Sequence, residues 1–255
     1  MRQDYPILEY DPAAEAVIEP GKTIAPLADL PEHCVICFFH DVIAHFVEQG
    51  LVEEVKALKS EMGRHPVYKL TLDGHTVTLF HPGVGAPLAA GTLEGVIALG
   101  GRKFVACGGA GVLDRDLAMG HLIVPTAAVR DEGTSYHYLP PAREATPHPN
   151  VVAAIERVLS RRKIDYLPGK TWTTDAFYRE TRDKIALRRA EGCITVDMEA
   201  ATMFAVAQFR NVQLGQILYC GDNLDGDDWD DRSWDKNWTI REKLVGLAVE
   251  ACLEV

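Results

Sequence analysis

The feature of this sequence that most constrains its fold is the alternation of short apolar runs with longer stretches of helical periodicity. A strand-like run at 35–39 is followed by residues whose apolar side chains recur at helical spacing, and this order repeats almost to the C-terminus. One hairpin interrupts it, because the runs 67–72 and 76–80 flank Asp73-Gly74, a strong turn signal. Helices that connect strands in this way cover both faces of a sheet. The sequence therefore predicts an α/β fold: a single-domain three-layer α/β/α sandwich with a mixed central sheet.

Three individual elements matter for the site. Residues 42–58 carry most of their apolar side chains at helical spacing and predict a helix, with Gly50 as a possible break. The apolar run 104–107 predicts a strand that ends in the glycine-rich segment 108–111. A closing helix is expected from about 236 to 253.

Composition and charge limit the class of protein. With 255 residues and 47% hydrophobic content, the chain can build one sizeable core, so we expect one domain over 1–255 with an N-terminal arm over 1–33. No run approaches the ~18 apolar residues of a membrane span, and the first residues lack the apolar run of a signal peptide. A formal charge of −11 argues against DNA or RNA as a partner, since phosphate backbones require a basic face.

The six cysteines are scattered through apolar stretches. This distribution predicts reduced, buried thiols in a cytoplasmic protein. Cys34 and Cys37 have the spacing of a metal-ligand pair, but the sequence offers no second pair to complete a site. We therefore expect neither zinc nor redox chemistry there, and no metal elsewhere.

Two acids follow the apolar run 194–196, at the point where a strand gives way to a helix. Asp197 and Glu199 are followed by apolar residues at helical spacing from Ala200 onward. If the strand belongs to a parallel sheet, both acids lie at its carboxyl edge, where open α/β sheets bind ligands. Acids at this position also complement the dipole of a helix, so the pattern alone is equally compatible with helix capping.

The segment Val196-Asp197-Met198-Glu199-Ala200-Ala201 resembles the ribose-binding signature of the nucleoside phosphorylase family, which includes purine nucleoside and uridine phosphorylases and related nucleosidases. The resemblance implies that Met198 packs on the sugar and that Glu199 binds the 2′ and 3′ hydroxyls, with Asp197 beside them. The residue type suits this task, because an ionised carboxylate only accepts hydrogen bonds and can take both protons of a cis-diol.

Glycine-rich segments precede this signature. By itself Gly108-Gly109-Ala110-Gly111 predicts either a tight turn or a close approach of ligand to backbone. With the segment 83–87 it is similar to the phosphate and sugar half of the family site, which implies that Gly108 and Gly109 line the pocket. The sequence departs from the family where phosphate contacts are expected, since Ala106 replaces an arginine and Gly109 replaces a serine or threonine. The candidate for a phosphate-binding arginine is Arg64, contributed by a neighbouring subunit. Its alignment with the family's arginine is loose.

Two further segments are similar to parts of the family site. Residues 130–138 are rich in aromatic and hydrogen-bonding side chains, which is typical of a solvated loop. The resemblance instead implies that this loop lies near the active site and contributes Thr134 and Tyr136. It also implies that Phe177 stacks on the base, although a lone aromatic residue is more often part of a core.

Asp222 directly follows the apolar run 214–220 and begins an acidic loop. It matches the position where purine-cleaving members of the family carry an aspartate that protonates N7 of the leaving base. Uridine phosphorylases lack this aspartate. Partial burial would raise its pKa and make it a suitable proton donor. The alternative is that Asp222 is the first residue of a solvated acidic loop.

The resemblance implies a nucleoside phosphorylase-like pentosyltransferase that cleaves the N-glycosidic bond of a nucleoside, with a purine favoured, and needs phosphate but no organic cofactor. It also implies a homo-oligomer, either a dimer or a hexamer. The replacements at Ala106 and Gly109 leave open a hydrolytic nucleosidase that uses water. A nucleoside-binding protein without turnover is a third hypothesis, and retention of both Glu199 and Asp222 argues against it, because binding requires no proton donor.

Overall fold

The computed structural model describes residues 2–226 and 228–255, and Met1 and Asp227 lie outside the described residues. The strands in this part of the chain are β1 (His33–Cys37), β2 (Val52–Ser60), β3 (Gly63–Leu72), β4 (His75–Phe80), β5 (Lys103–Val112), β6 (Leu122–Asp131), β7 (Glu144–Ala145), β8 (Tyr166–Thr174), β9 (Cys193–Asp197) and β10 (Gln213–Asn223). The helices are α1 (Pro20–Thr23), α2 (His40–Glu48), α3 (Ala86–Leu99), α4 (Pro149–Arg161), α5 (Arg182–Ala190), α6 (Ala200–Phe209) and α7 (Trp238–Leu253).

The described strands join one mixed sheet. β1 lies between β4 and β5 and is parallel to both. β2, β3 and β4 form an antiparallel edge, which confirms the hairpin predicted at Asp73-Gly74. At the other end, β10 pairs with β5 in parallel and with β6 antiparallel, so β5, β10, β6, β8 and β9 close into a ring. The predicted mixed sheet is confirmed.

Helices cover both faces of this sheet, which confirms the predicted sandwich. On one face, α2, α4 and α7 bury side chains such as Phe46, Ile155 and Leu244 against the strands. On the other face, α3 and α6 contribute Leu93 and Phe204 to a second core. Burial of each such side chain contributes about 1.5–3 kcal/mol, so the layers are held mainly by apolar packing. No helix among the described residues is both long and apolar enough to span a bilayer.

The helix predicted over 42–58 is wrong in its second half. Helix α2 ends at Glu48, and Gly50 follows with a φ of 68°, a conformation that ends a helix. Residues 52–60 then form β2, an edge strand that pairs antiparallel with β3. Its charged side chains are exposed, which is typical of a protected edge strand. Pairing with β3 therefore outweighs the helical periodicity.

The N-terminal arm packs on the sandwich as largely irregular chain. A backbone hydrogen bond connects the arm to α3, because the N–H of Leu27 donates to the carbonyl of Leu99. The side chain of Leu30 is buried in the second core. We retain one domain over 1–255, with the arm at 1–33, as a proposal.

Candidate active site

The candidate site is a gap along one edge of β5. β1 pairs with β5 as far as Cys107, and β9, which runs antiparallel to β5, pairs with it from Gly111 onward. The carboxyl ends of β1 and β9 therefore approach each other head-on, and Gly108 and Gly109 lie between them. The expected carboxyl edge of a parallel sheet is confirmed for β9 with β8 and β6, which are parallel, whereas β9 runs opposite to β5. The two strand ends nevertheless converge on one place, with Met198 half-buried just beyond β9.

Asp197 is the last residue of β9 and is buried. Its Oδ2 accepts a hydrogen bond from the Thr171 hydroxyl at 2.6 Å, and its Oδ1 accepts one from the Thr173 hydroxyl at 3.0 Å. Oδ1 also accepts the backbone N–H groups of Glu199 and Ala200, at 2.9 and 2.8 Å. Asp197 thus caps α6 and ties β9 to β8, as the capping interpretation predicts. Its contact with substrate stays a prediction.

Glu199 lies at the N-terminus of α6 and is only 7% exposed. Its Oε1 accepts the backbone N–H of Gly85 at 2.6 Å, which joins the glycine-rich segment before α3 to the signature at α6. Burial, opposed by the hydrogen bond from Gly85 and assisted by the negative charge of Asp197, raises the pKa of Glu199 to about 8. Glu199 therefore holds a proton at neutral pH in the absence of ligand, and a partner that donates hydrogen bonds would favour its ionised form.

The glycine segment predicted as a turn is instead part of β5, and two aromatic rings explain its lack of side chains. A Cβ on Gly108 would lie 3.2 Å from the ring of Phe38, and one on Gly109 would lie 3.1 Å from the ring of Tyr219. β10 pairs with both glycines along the other edge of β5. The side chains that pack on this segment are therefore uncharged rings, and no strand among the described residues pairs with the edge between β1 and β9.

His81, which directly follows β4, extends this aromatic side of the gap. Its ring lies 6.1 Å from that of Phe38 in an edge-to-face arrangement. Its Nδ1 accepts the backbone N–H of Gly83 at 2.9 Å, so the neutral ring carries its proton on Nε2. Burial lowers the pKa of His81, and the neighbouring His40 lowers it further. Our reading of the sequence missed His81, although its position between a strand and a glycine-rich segment is a usable signal.

The side chains predicted to contact phosphate are not gathered at the gap in the single chain. Arg64 forms an ion pair with Glu54 across the β2–β3 hairpin, and its side chain is 64% exposed. Ala106 is buried in the core beneath α6. The contribution of Arg64 from a neighbouring subunit stays a prediction.

The loop after β6 is anchored to the site by buried polar contacts. The guanidinium of Arg130 stacks 4.3 Å from the Tyr136 ring, and the Tyr136 hydroxyl donates to the Arg130 carbonyl. Glu132 accepts hydrogen bonds from the backbone N–H of Ser135 and from the hydroxyl of Thr202 on α6. The loop is therefore held against α6 by buried hydrogen bonds and is not the solvated loop that its composition suggests. Within it, the half-buried Thr134 begins a short 3₁₀ turn.

A second acidic centre lies at the end of β10. A Cβ on Gly111 would lie 3.5 Å from Oδ1 of Asp222, which places this carboxyl at the β9 end of the gap. Oδ2 of Asp222 accepts the indole N–H of Trp229 at 2.7 Å. Burial raises the pKa of Asp222, and the Trp229 hydrogen bond opposes that rise. Our reading of the sequence did not identify Trp229, because nothing local links it to Asp222.

Phe177 and Glu180 belong to the segment between β8 and α5. The Phe177 ring is 51% exposed and lies 4.1 Å from the Tyr178 ring, so Phe177 is available to a ligand rather than part of a core. Burial, together with the charge of Asp222, raises the pKa of Glu180 to about 7. No local sequence pattern singles out Glu180, because only the fold brings it within the influence of the Asp222 charge.

Known proteins share the sequence family and the fold of this chain. The family model for the phosphorylase superfamily matches residues 32–254, nearly the whole chain. A guanosine phosphorylase from Halorubrum lacusprofundi is 26% identical over 229 residues, which is 80% of this chain and 95% of that protein. An AMP nucleosidase from Bacteroides thetaiotaomicron has a similar structure, with a TM-score of 0.71, 25% identity and 88% of each chain covered.

A uridine phosphorylase from Vibrio fischeri has the same fold, with a TM-score of 0.74 over 91% of this chain and 95% of that chain, at 23% identity. The resemblance drawn from the signature at 196–201 is therefore confirmed at the level of the family. From the extent of the family match, the chain belongs to the phosphorylase superfamily.

Proposed function

We propose that this chain cleaves the N-glycosidic bond of a nucleoside, with purine nucleosides favoured, and transfers the ribosyl group to phosphate. The products are the free base and ribose 1-phosphate. The observation that carries the proposal is Glu199, a buried carboxyl held at the N-terminus of α6 by the Gly85 N–H, at the end of an open strand edge. The guanosine phosphorylase from Halorubrum lacusprofundi supports a purine substrate.

The residues at each end of the gap then have distinct roles in cleavage of the N-glycosidic bond. Glu199 binds the ribose diol, and its ionised form stabilises the positive charge that develops on the sugar. Met198 packs on the sugar, Phe177 stacks on the base, and Asp222 delivers a proton to the base so that it leaves as a neutral molecule. Phosphate attacks the sugar from the side of the gap formed by Gly109, His81 and the Gly83–Gly85 segment.

A second candidate, hydrolysis, is favoured by one specific observation. The side chains against Gly108 and Gly109 are the uncharged rings of Phe38 and Tyr219, whereas phosphate sites commonly use guanidinium groups. Water requires no cationic group, and the AMP nucleosidase from Bacteroides thetaiotaomicron shares this fold. The same proton donor and ribose contacts would serve either nucleophile.

Base release decides between these functions. Guanosine, inosine, adenosine and uridine are incubated with the purified chain, with and without phosphate, and free base is measured by chromatography. Strict dependence on phosphate supports phosphorolysis, and equal release without phosphate supports hydrolysis. In the Asp222→Asn variant, turnover of a purine nucleoside should fall by about 10²–10⁴-fold. Retained nucleoside affinity in a wild-type chain that releases no base would instead indicate a binding protein. Glu53→Gln, exposed on β2, is the matched control.

We also propose a homo-oligomer, either a dimer or a hexamer, in which Arg64 of one subunit reaches the site of another. The exposure of Arg64 and its position on the β2–β3 hairpin support this arrangement. Sedimentation velocity measures the oligomeric state. Arg64→Ala should raise the KM for phosphate in the oligomer, and an unchanged KM would contradict the contribution of Arg64.

A further inference from the structure

Trp229 is an exposed aromatic residue whose indole N–H is directed at the proposed proton donor. Its side chain is 64% exposed, so it contributes little to the apolar core. The indole N–H donates to Oδ2 of Asp222 at 2.7 Å. An indole N–H can only donate, and its hydrogen bond to a carboxylate is stronger than one to a neutral acceptor. The contact therefore acts on the Asp222 carboxyl rather than on packing.

The backbone of the loop after β10 sets the position of this contact. Asn223 and Asp230 lie opposite each other, because the N–H of each donates to the carbonyl of the other, at 2.8 and 3.2 Å. Asp222 and Trp229 each precede one of these residues. They therefore lie on the same face of the paired backbone as diagonal neighbours, within reach of a long aromatic side chain.

The two oxygens of Asp222 have different surroundings. Oδ2 accepts from the indole, whereas Oδ1 lies 3.5 Å from the position of a Cβ on Gly111, at the β9 end of the gap. Because Trp229 cannot accept a hydrogen bond, Oδ2 acts as the acceptor oxygen, and the proton of the neutral acid is placed on Oδ1. The proton thus lies on the oxygen that approaches β5.

We propose that Trp229 is a positioning residue that orients Asp222 for delivery of its Oδ1 proton to N7 of the leaving purine. This inference rests on the proposed function. As the C1′–N9 bond breaks, its electron pair passes to the base, and the proton of Oδ1 bonds to N7. A bond forms between a phosphate oxygen and C1′, and the proton lost by the phosphate restores the carboxyl. Between these events Asp222 is a carboxylate, to which the indole hydrogen bond is stronger than to the neutral acid.

Other titratable and charged groups act on the same carboxyl or respond to it. Burial raises the pKa of Asp222, and the indole hydrogen bond opposes that rise. On the same loop, Arg232 lowers this pKa and Asp230 raises it. Besides burial, the charge of Asp222 contributes to the raised pKa values of Glu180, before α5, and of Tyr219, on β10. Removal of the indole N–H alone should therefore raise the pKa of Asp222.

Two nucleosides that differ in their need for this proton test the proposal. Inosine requires protonation of its base, whereas 7-methylguanosine already carries a positive charge on the base. In Trp229→Phe, kcat/KM for inosine should fall about 10–100-fold at low pH, because the acid is no longer oriented. The pH at which kcat/KM declines should rise by about one unit, so the loss should shrink about tenfold at higher pH. With 7-methylguanosine the variant should stay within about threefold of the wild type, because no proton is needed.

Two further variants separate the indole N–H from the ring. Trp229→His keeps an N–H at the corresponding place of a five-membered ring, so above pH 7 it should cleave inosine within about threefold of the wild type. Trp234→Phe is the matched control, since Trp234 is 42% exposed in the same loop and its indole N–H has no acceptor among residues 2–226 and 228–255. Equal losses on both nucleosides in Trp229→Phe, a loss independent of pH, or unaltered cleavage of inosine would overturn the proposal.

A measurement that needs no turnover separates this proposal from the proposed function. The Asp222 carboxyl carbon in ¹³C-aspartate-labelled protein is assigned from its absence in Asp222→Asn and titrated by NMR. Its pKa should be about one unit higher in Trp229→Phe than in the wild type, and equal pKa values would overturn the role of the indole. Release from uridine alone, whose base has no N7, would overturn proton delivery by Asp222. A wild type that releases no base from any nucleoside would overturn the proposed function itself.

Discussion

Replacing Glu199 with glutamine should stabilise the ligand-free protein at neutral and alkaline pH. The pKa of Glu199 is about 8 in the folded chain against an ordinary value of 4.5, so the folded protein binds this proton more tightly than the unfolded chain does. The contribution of Glu199 to folding stability therefore falls as pH rises between these two values and stays constant above the higher one. At about 1.4 kcal/mol per pKa unit, the loss is about 3 kcal/mol at pH 7 and about 1 kcal/mol at pH 5.

Glutamine removes this cost and keeps an oxygen to accept the Gly85 N–H. The midpoint of thermal unfolding should therefore rise by about 6–12 °C at pH 7, since a chain of this size gains about 2–4 °C per kcal/mol. Differential scanning calorimetry of wild type, Glu199→Gln and the exposed control Glu53→Gln measures this between pH 5 and pH 8.5. The gain should shrink towards pH 5, and base release should be lost. A difference in midpoint that is independent of pH would refute the reasoning, as would a destabilised variant at pH 8.5.

Three further predictions follow from the same contacts. Binding of ribose 1-phosphate at pH 7 should release up to one proton from Glu199, because the diol donates to its ionised form; calorimetric heats that do not depend on the buffer would contradict this. Asp197→Ala should cost about 3–5 kcal/mol in urea unfolding, because buried donors lose their acceptor, whereas Asp197→Asn should cost about half as much; equal costs would argue against the hydrogen-bond explanation. Gly109→Ala should destabilise the chain by about 1–3 kcal/mol through its contact with Tyr219, whereas Gly91→Ala, on α3 with open space around it, should stabilise it slightly; a neutral Gly109→Ala would contradict the packing argument.

The parts of the fold that could be predicted are those encoded by neighbouring residues. Asp73-Gly74 sets the hairpin by itself, because both residues adopt the positive φ that a tight two-residue turn requires. The strand-to-helix junction at Glu199 is equally local, since an apolar run and a helical period meet there. The length of α2 was not predictable in the same way, because β2 forms by pairing with β3, and that partner lies beyond the window in which periodicity is read.

The site shows the same distinction between features encoded by neighbouring residues and features that depend on distant segments. The resemblance could point to Glu199 and Asp222 because each lies in a short sequence pattern at the end of a strand. Gly108 and Gly109 lie at an open strand edge because β1 and β9 end on either side of them along β5. No local sequence pattern specifies where those two strands end. The contact between Arg182, at the start of α5, and the carbonyl of Gly226, in the loop after β10, likewise depends on tertiary packing. Relations between distant segments were the part that the sequence could not supply.

Two acids with raised pKa values lie at opposite ends of the proposed reaction. Burial raises the pKa of Glu199 to about 8 at the sugar end and that of Glu180 to about 7 at the base end. A positive charge about 5 Å from a carboxylate is stabilised by about 3 kcal/mol at an effective dielectric constant of 20, so charge that develops on the ribose favours ionisation of Glu199. At the base end, the proposed proton donor Asp222 gives up its proton as the bond breaks. The burial that reduces the stability of the free protein therefore strengthens interactions that form fully only in the transition state, which is the condition for raising kcat rather than tightening substrate binding.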